Sequence, residues 1–139
     1  MDKTHPPLAF GVFKPVGHTV IAYQSAADMQ AAVSALVEHG FAYSSLVLYT
    51  PEEMKAQVDA ELRTASPLAA FGYELDLIKG HRALAENGCS FLIVHAPDDK
   101  RAAYVATVAR STRAVTAHHY GTFMIEELTG QTPGNASAS

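Results

Sequence analysis

Seven histidines in 139 residues offer the widest chemical range of any side chain in this sequence, because imidazole changes charge near neutrality and ligates metals. His95 closes the apolar run Ser90-Phe91-Leu92-Ile93-Val94-His95, and His118-His119 precede Tyr120 in a second run. With Tyr23 from an earlier apolar run, His95, His118 and Tyr120 are the polar groups expected to converge on a small apolar or aromatic ligand. His118 and His119 are the candidate metal ligands. Adjacent strand residues point to opposite faces, so one ion does not easily take both. A pair of His95 with either of them spans two strand spacings, about 10 Å, too far to share an ion unless a second copy contributes. The plainer expectation is that these imidazoles make hydrogen bonds at strand ends or at a dimer seam.

A second set, Tyr73, Glu74, Asp76, Lys79, His81 and Arg82, has the residue types of an acid–base cluster on one helix. The plainer expectation is again a solvated face with supporting ion pairs, such as Asp76 with Lys79 at i, i+3. Cys89 is the single cysteine. It follows Gly88 and precedes an apolar strand, and reads as a small buried hydrophobe, not a thiolate. Phosphate-binding loops, dinucleotide fingerprints and the nucleophile elbow of serine hydrolases are absent from the sequence. Catalytic residues stay unassigned, an enzyme is not favoured, and no cofactor is implied.

The elements that must position these residues follow from apolar spacing and from capping residues. His18-Thr19-Val20-Ile21-Ala22-Tyr23 is β-branched and aromatic, as a first strand should be. Ser25 caps a helix reaching Glu38, with Met29, Ala32, Val33, Leu36 and Val37 on its buried stripe and Gly40 as its stop. Ser45 to Tyr49 reads as a second strand. Thr50-Pro51-Glu52-Glu53 then starts a helix through a capping box, with Met54, Val58 and Leu62 along one face. Ser66-Pro67 opens a further helical stretch carrying Phe71, Leu75 and Ile78, and Gly88 ends it. Ser90 to His95 is a third strand, apolar on both faces and therefore inside the sheet. Pro97-Asp98-Asp99 opens a last helix, and Ala114 to Tyr120 is the fourth strand. Thr122 to Leu128 fits either an extension of that strand or a short helix.

Strand, helix, strand, helical pair, strand, helix, strand is the order of an α+β ferredoxin-like plait. Such a plait has four antiparallel strands in spatial order 4-1-3-2 and helices on one face. Here an extra helical segment is inserted between strands 2 and 3. Residues 1–15 read as an N-terminal extension, 16–128 as the single domain and 129–139 as a flexible tail. Neither face of the third strand suits water. The helix-free side of the sheet is therefore expected to be covered by the helical pair, by a second copy of the chain, or by both. A charged fraction of 17% against 48% hydrophobic residues also points to a partner surface, and a homodimer is expected. A net charge of −4 with no basic run argues against nucleic acid. No apolar run reaches the roughly 20 residues that cross a bilayer. The opening residues lack a secretory-signal pattern, and with a single cysteine the expectation is the cytoplasm.

Val20-Ile21-Ala22-Tyr23 through Glu38-His39-Gly40-Phe41, and Gly72-Tyr73-Glu74 leading to Glu86-Asn87-Gly88-Cys89 and the third strand, resemble the heat-induced general stress protein domain family of bacteria. The resemblance spans roughly residues 17–120. It implies a ferredoxin-like plait and supplies no catalytic residues. The function expected is a non-enzymatic, stress-associated or regulatory binding module. The alternatives are a small dimeric α/β-barrel-type enzyme and a metal- or small-ligand-binding domain using strand histidines and tyrosines.

Overall fold

The computed structural model describes residues 8–9, 12–13, 16–64, 73–121 and 125–128. The four strands expected from apolar patterning are β3 (His18–Tyr23), β4 (Leu46–Tyr49), β5 (Ser90–His95) and β6 (Thr116–Tyr120). They are preceded by a hairpin of β1 (Leu8–Ala9) and β2 (Val12–Phe13), whose second strand lies beside the helix after β4. They are followed by β7 (Ile125–Glu127). The main sheet is antiparallel throughout and has five strands in the order β4-β5-β3-β6-β7.

The four-strand count is thereby corrected: β7 turns back after Gly121 and pairs with β6, His118 facing Glu127 and Tyr120 facing Ile125. Three residues are too few to show an alternation in sequence, so the segment is ambiguous without its partner strand. The helix start at Ser66-Pro67, together with Phe71 and Gly72, lies outside the described residues, as does the tail 129–139.

Local chemistry starts and stops the helices where the sequence places the signals. Ser25 Oγ accepts the Asp28 backbone N–H at 3.2 Å to open α1 (Ala26–Glu38), and Gly40, at φ +113°, takes the left-handed turn after it. At the head of α2 (Pro51–Thr64), Glu53 N–H donates to Thr50 Oγ1 (3.1 Å) while Thr50 N–H donates to Glu53 Oε1 (2.9 Å). That is the reciprocal bond pair of a capping box. Asp98 Oδ1 accepts the Arg101 N–H at 2.8 Å to open α4 (Asp99–Ser111). Between α2 and β5 runs α3 (Tyr73–Glu86).

The helices lie on both faces of the sheet. Ile21, Tyr23, Leu92, Val94 and Ala117 pack against Ala32, Val33 and Leu36 of α1 and Val105, Val108 and Ala109 of α4. Val20, Ala22, Phe91, Ile93 and Tyr120 pack against Met54 and Val58 of α2 and Ile78 and Ala85 of α3. Phe91, Leu92, Ile93 and Val94 are all completely buried, as a strand sandwiched between two helical layers must be. The face opposite α1 and α4 is thus covered within one chain by α2 and α3. Arg82 of α3 ties the two helices together by donating from Nε to Asp59 Oδ1 at 2.7 Å, and also pairs with Glu86.

Candidate functional site

Strand alternation sorts the predicted site residues before any side chain is considered. On the α2/α3 face, one cross-strand row is His95, His18 and Tyr120, and the next is Ile93, Val20, His118 and Glu127. Thr19, Tyr23 and His119 fall on the opposite face.

Tyr23 is therefore separated from the other three predicted ligand residues by the sheet. Its hydroxyl lies 2.7 Å from Thr112 Oγ1, which in turn donates to the Val108 carbonyl at 2.6 Å. Burial raises the Tyr23 pKa, against the Thr112 hydrogen bond, and the nearby Asp28 charge adds to the rise. The group is a neutral strut between β3 and the end of α4. His95 is exposed, with its ring 4.7 Å from that of His18. His118 and Tyr120 share a face, both buried. His119, the second candidate metal ligand, points away from His118 and its Nδ1 lies 2.9 Å from Thr19 Oγ1. Burial lowers the His119 pKa, with Glu126 and Asp99 opposing. Among the described residues, no three of His, Cys, Asp and Glu are grouped so as to hold a metal ion.

The polar cluster that the fold does build lies around His118. Its Nε2 sits 3.2 Å from Glu127 Oε2, with both side chains largely buried. The carboxylate accepts the Nε2 proton, which leaves the neutral ring a lone pair on Nδ1. From α3, His81 comes down onto the same face, 3% exposed. Its ring centroid is 6.0 Å from that of His118 and 5.6 Å from that of Phe91, edge-on to both. In the strand register the small Ala22 lies between Phe91 and Thr116.

His81 Nε2, His118 Nδ1 and Thr116 Oγ1 are all buried, and none has a hydrogen-bond partner among the described residues. Burial, reinforced by repulsion from His118, pushes the His81 pKa down to about 3. Burial lowers the His118 pKa as well, while Glu127 pulls it back up.

No family model, curated protein or solved structure matches this chain. The chemistry of the site must be read from its own atoms.

An unpartnered buried polar atom costs roughly 1–3 kcal/mol, so three of them cost several kcal/mol unless something polar meets them. With its Nε2–H held by Glu127, His118 Nδ1 accepts, while His81 Nε2 and the Thr116 hydroxyl donate or accept according to tautomer and rotor. With both rings neutral above their lowered pKa values, a negative charge has no cationic partner here. Oriented by Glu127, His118 Nδ1 also has the form of a general base held by a carboxylate.

The acid–base helix of the sequence splits between two environments. His81 is buried while Lys79 and Glu86 are exposed, and the side chains of Tyr73, Glu74 and Asp76 lie outside the described residues. A solvated face is therefore wrong for His81. The missed signal is its spacing: Ile78, His81 and Ala85 stand at i, i+3 and i+7, one stripe of a helix, and all three are buried. Cys89 behaves as expected, 1% exposed and with its thiol pKa raised by burial.

Proposed function

We propose that the chain is a ferredoxin-like plait with one added edge strand, acting as a regulatory binding module for a small polar ligand. Read without β7, the sheet order β4-β5-β3-β6 is 2-3-1-4 in the numbering of the four long strands, the reverse of 4-1-3-2. That order supports the plait, together with α1 and α4 on one face. The stress-associated role rests on the resemblance to the heat-induced general stress protein family.

The observation that carries the binding reading is the trio of buried atoms on His81, Thr116 and His118 that have no partner among the described residues. Apolar walls from Val20 and Phe91 would enclose the ligand's non-polar part. Native mass spectrometry of protein purified from its own host tests this. A stoichiometric small molecule, lost in His118→Phe, is expected. Preparations carrying nothing but water would overturn the reading.

The enzyme reading has one observation in its favour, the Glu127–His118 pair. Turnover needs substrate and product to pass repeatedly by a ring only 6% exposed, whereas a ligand that stays bound does not, which is why binding is preferred.

Self-association and a cytoplasmic site remain part of the proposal. Since α2 and α3 cover the sheet, the dimer surface moves to edge strand β4, where Leu48 is 37% exposed and nearby Tyr43 is 71% exposed. Sedimentation showing only monomer at micromolar concentration would remove the dimer.

A further inference from the structure

A second site lies where β5 ends, away from the buried cluster around His118. After β5 the chain passes through Ala96-Pro97-Asp98 into α4, and α1 ends beside this turn at His39-Gly40. Between them is a cleft of about 400 Å³, in the size range of small-ligand pockets.

The make-up of its lining is unlike the chain as a whole. The protein carries a net charge of −4, yet Lys100, Arg101, His95 and His39 line this cleft and no carboxylate side chain does. The other wall is aromatic. The His39 ring stacks on Tyr104 with centroids 3.6 Å apart and planes 12° apart, and Phe41 lies 6.2 Å from Tyr104. Ser45 adds a hydroxyl.

Lys100 is exposed, and among the described residues nothing pairs with it. Arg101 holds Asp98 through Nε at 3.1 Å, with both side chains more than half exposed. Such a surface pair is weak and easily redirected. Cations on one wall and stacked rings on the other recognise a molecule with an anionic end and a flat end. The cations stand in the first turn of α4, whose N-terminus is itself met by the Asp98 carboxylate.

We propose that this cleft is a binding site for a small anion bearing an aromatic ring, of the nucleoside monophosphate class. The phosphate is met by Lys100 and Arg101, and the base lies against the Phe41–Tyr104–His39 wall. The buried trio around His118 takes no part in it.

Adenosine monophosphate, adenosine and inorganic phosphate, titrated separately into the full chain and followed by amide NMR, separate the contributions. The monophosphate is expected to give saturable shifts in residues 39–45 and 95–104, with either fragment at least tenfold weaker. Lys100→Ala removes an exposed, unpaired side chain and leaves the fold intact. It is expected to weaken the monophosphate about tenfold or more, the effect of losing one charge-assisted hydrogen bond. Rising salt should weaken it too. His39→Ala takes away one ring of the wall and should weaken adenosine and the monophosphate alike. Absence of saturation at millimolar monophosphate would overturn the proposal. So would phosphate binding as tightly as the nucleotide, affinity unchanged in Lys100→Ala, or shifts centred on His81 and His118 instead.

Discussion

Acid should unfold this protein through His81. The ring is completely enclosed between α3 and the sheet, and its pKa falls from 6.5 to about 3. A histidine that binds its proton more weakly folded than unfolded contributes stability that is intact above the unfolded value. That stability is lost progressively as pH falls from 6.5 toward 3. Fully expressed, the gap is worth roughly 5 kcal/mol, at 1.36 kcal/mol for each pH unit. At pH 5 an unfolded ring would be almost wholly protonated and the folded ring almost wholly neutral. The loss there, relative to pH 7.5, is about 2 kcal/mol from this one side chain. Burial of His118 and His119 acts in the same direction. A loss of that size is a large share of the ~5–15 kcal/mol that holds a domain together. Urea unfolding followed by far-UV circular dichroism at pH 7.5, 6.5, 5.5 and 5.0 measures it without the tryptophan this chain lacks. His81→Leu is the control. It keeps an apolar filling between Phe91 and α3, removes the titrating group, and removes one unpartnered nitrogen. The variant should lose about 2 kcal/mol less than the parent between pH 7.5 and 5, and should be no less stable at pH 7.5. Equal pH slopes in the two proteins, or an NMR titration of the His81 ring near 6.5, would refute the reasoning.

Glu127→Gln removes the charge that raises the His118 pKa. NMR titration should therefore find the His118 pKa lower in the variant, and an unchanged or higher value would show that the 3.2 Å contact is not electrostatically coupled. Thr50→Ala takes away one half of the capping box and should cost about 1 kcal/mol in urea unfolding. Leu92→Ala opens a cavity at the centre of the α1/α4 face and should cost about 2–5 kcal/mol, more than any of the other single substitutions. Arg82→Ala, by contrast, should leave the urea midpoint close to that of the parent, because its pair with Asp59 is more than a third exposed on both sides. A loss as large as that of Leu92→Ala would mean that α3 is held to α2 by that ion pair and not by apolar contact.

What could be read in the sequence was local or periodic. Ser25, Thr50 with Glu53, and Asp98 carry helix starts in their side-chain oxygens, and each makes the bond its type and spacing require. The unbroken apolar run from Phe91 to Val94 demands cover on both faces and has it. Those signals need no knowledge of the rest of the chain. The buried site depended on such knowledge at every point. Glu127 belongs to a three-residue strand that has no pattern of its own, and it meets His118 only through the β6–β7 register. Tyr23 and His118 sit on apolar strands of similar appearance. One residue of parity sends them to opposite faces, and only strand registration fixes that parity. His81 was hidden by composition: amid Lys79, Arg82 and Glu86 a titratable residue suggests solvent, whereas the helical period through Ile78 and Ala85 places it inside.

The two faces of the sheet hold their cores in different ways. Facing α1 and α4, the polar groups have partners: Tyr23 meets Thr112 and Thr19 meets His119. Facing α2 and α3, His81, Thr116 and His118 bring polar atoms into a layer of Val20, Phe91 and Ile93 without meeting partners among the described residues. An apolar residue at any of the three positions would avoid the penalty of burying an unmet polar group. Packing alone therefore gives no reason for these residue types. A helical pair laid over the sheet would hold as well, or better, on a wholly apolar surface. The polar atoms make physical sense if something that is not protein completes their hydrogen bonds. If His81→Leu, Thr116→Val and His118→Phe each raise the stability of ligand-free protein yet abolish the mass bound in protein from the host, stability has been given up for binding. If they raise stability and nothing bound is lost, the histidines are only misfits in the core, and the α2/α3 face carries no site.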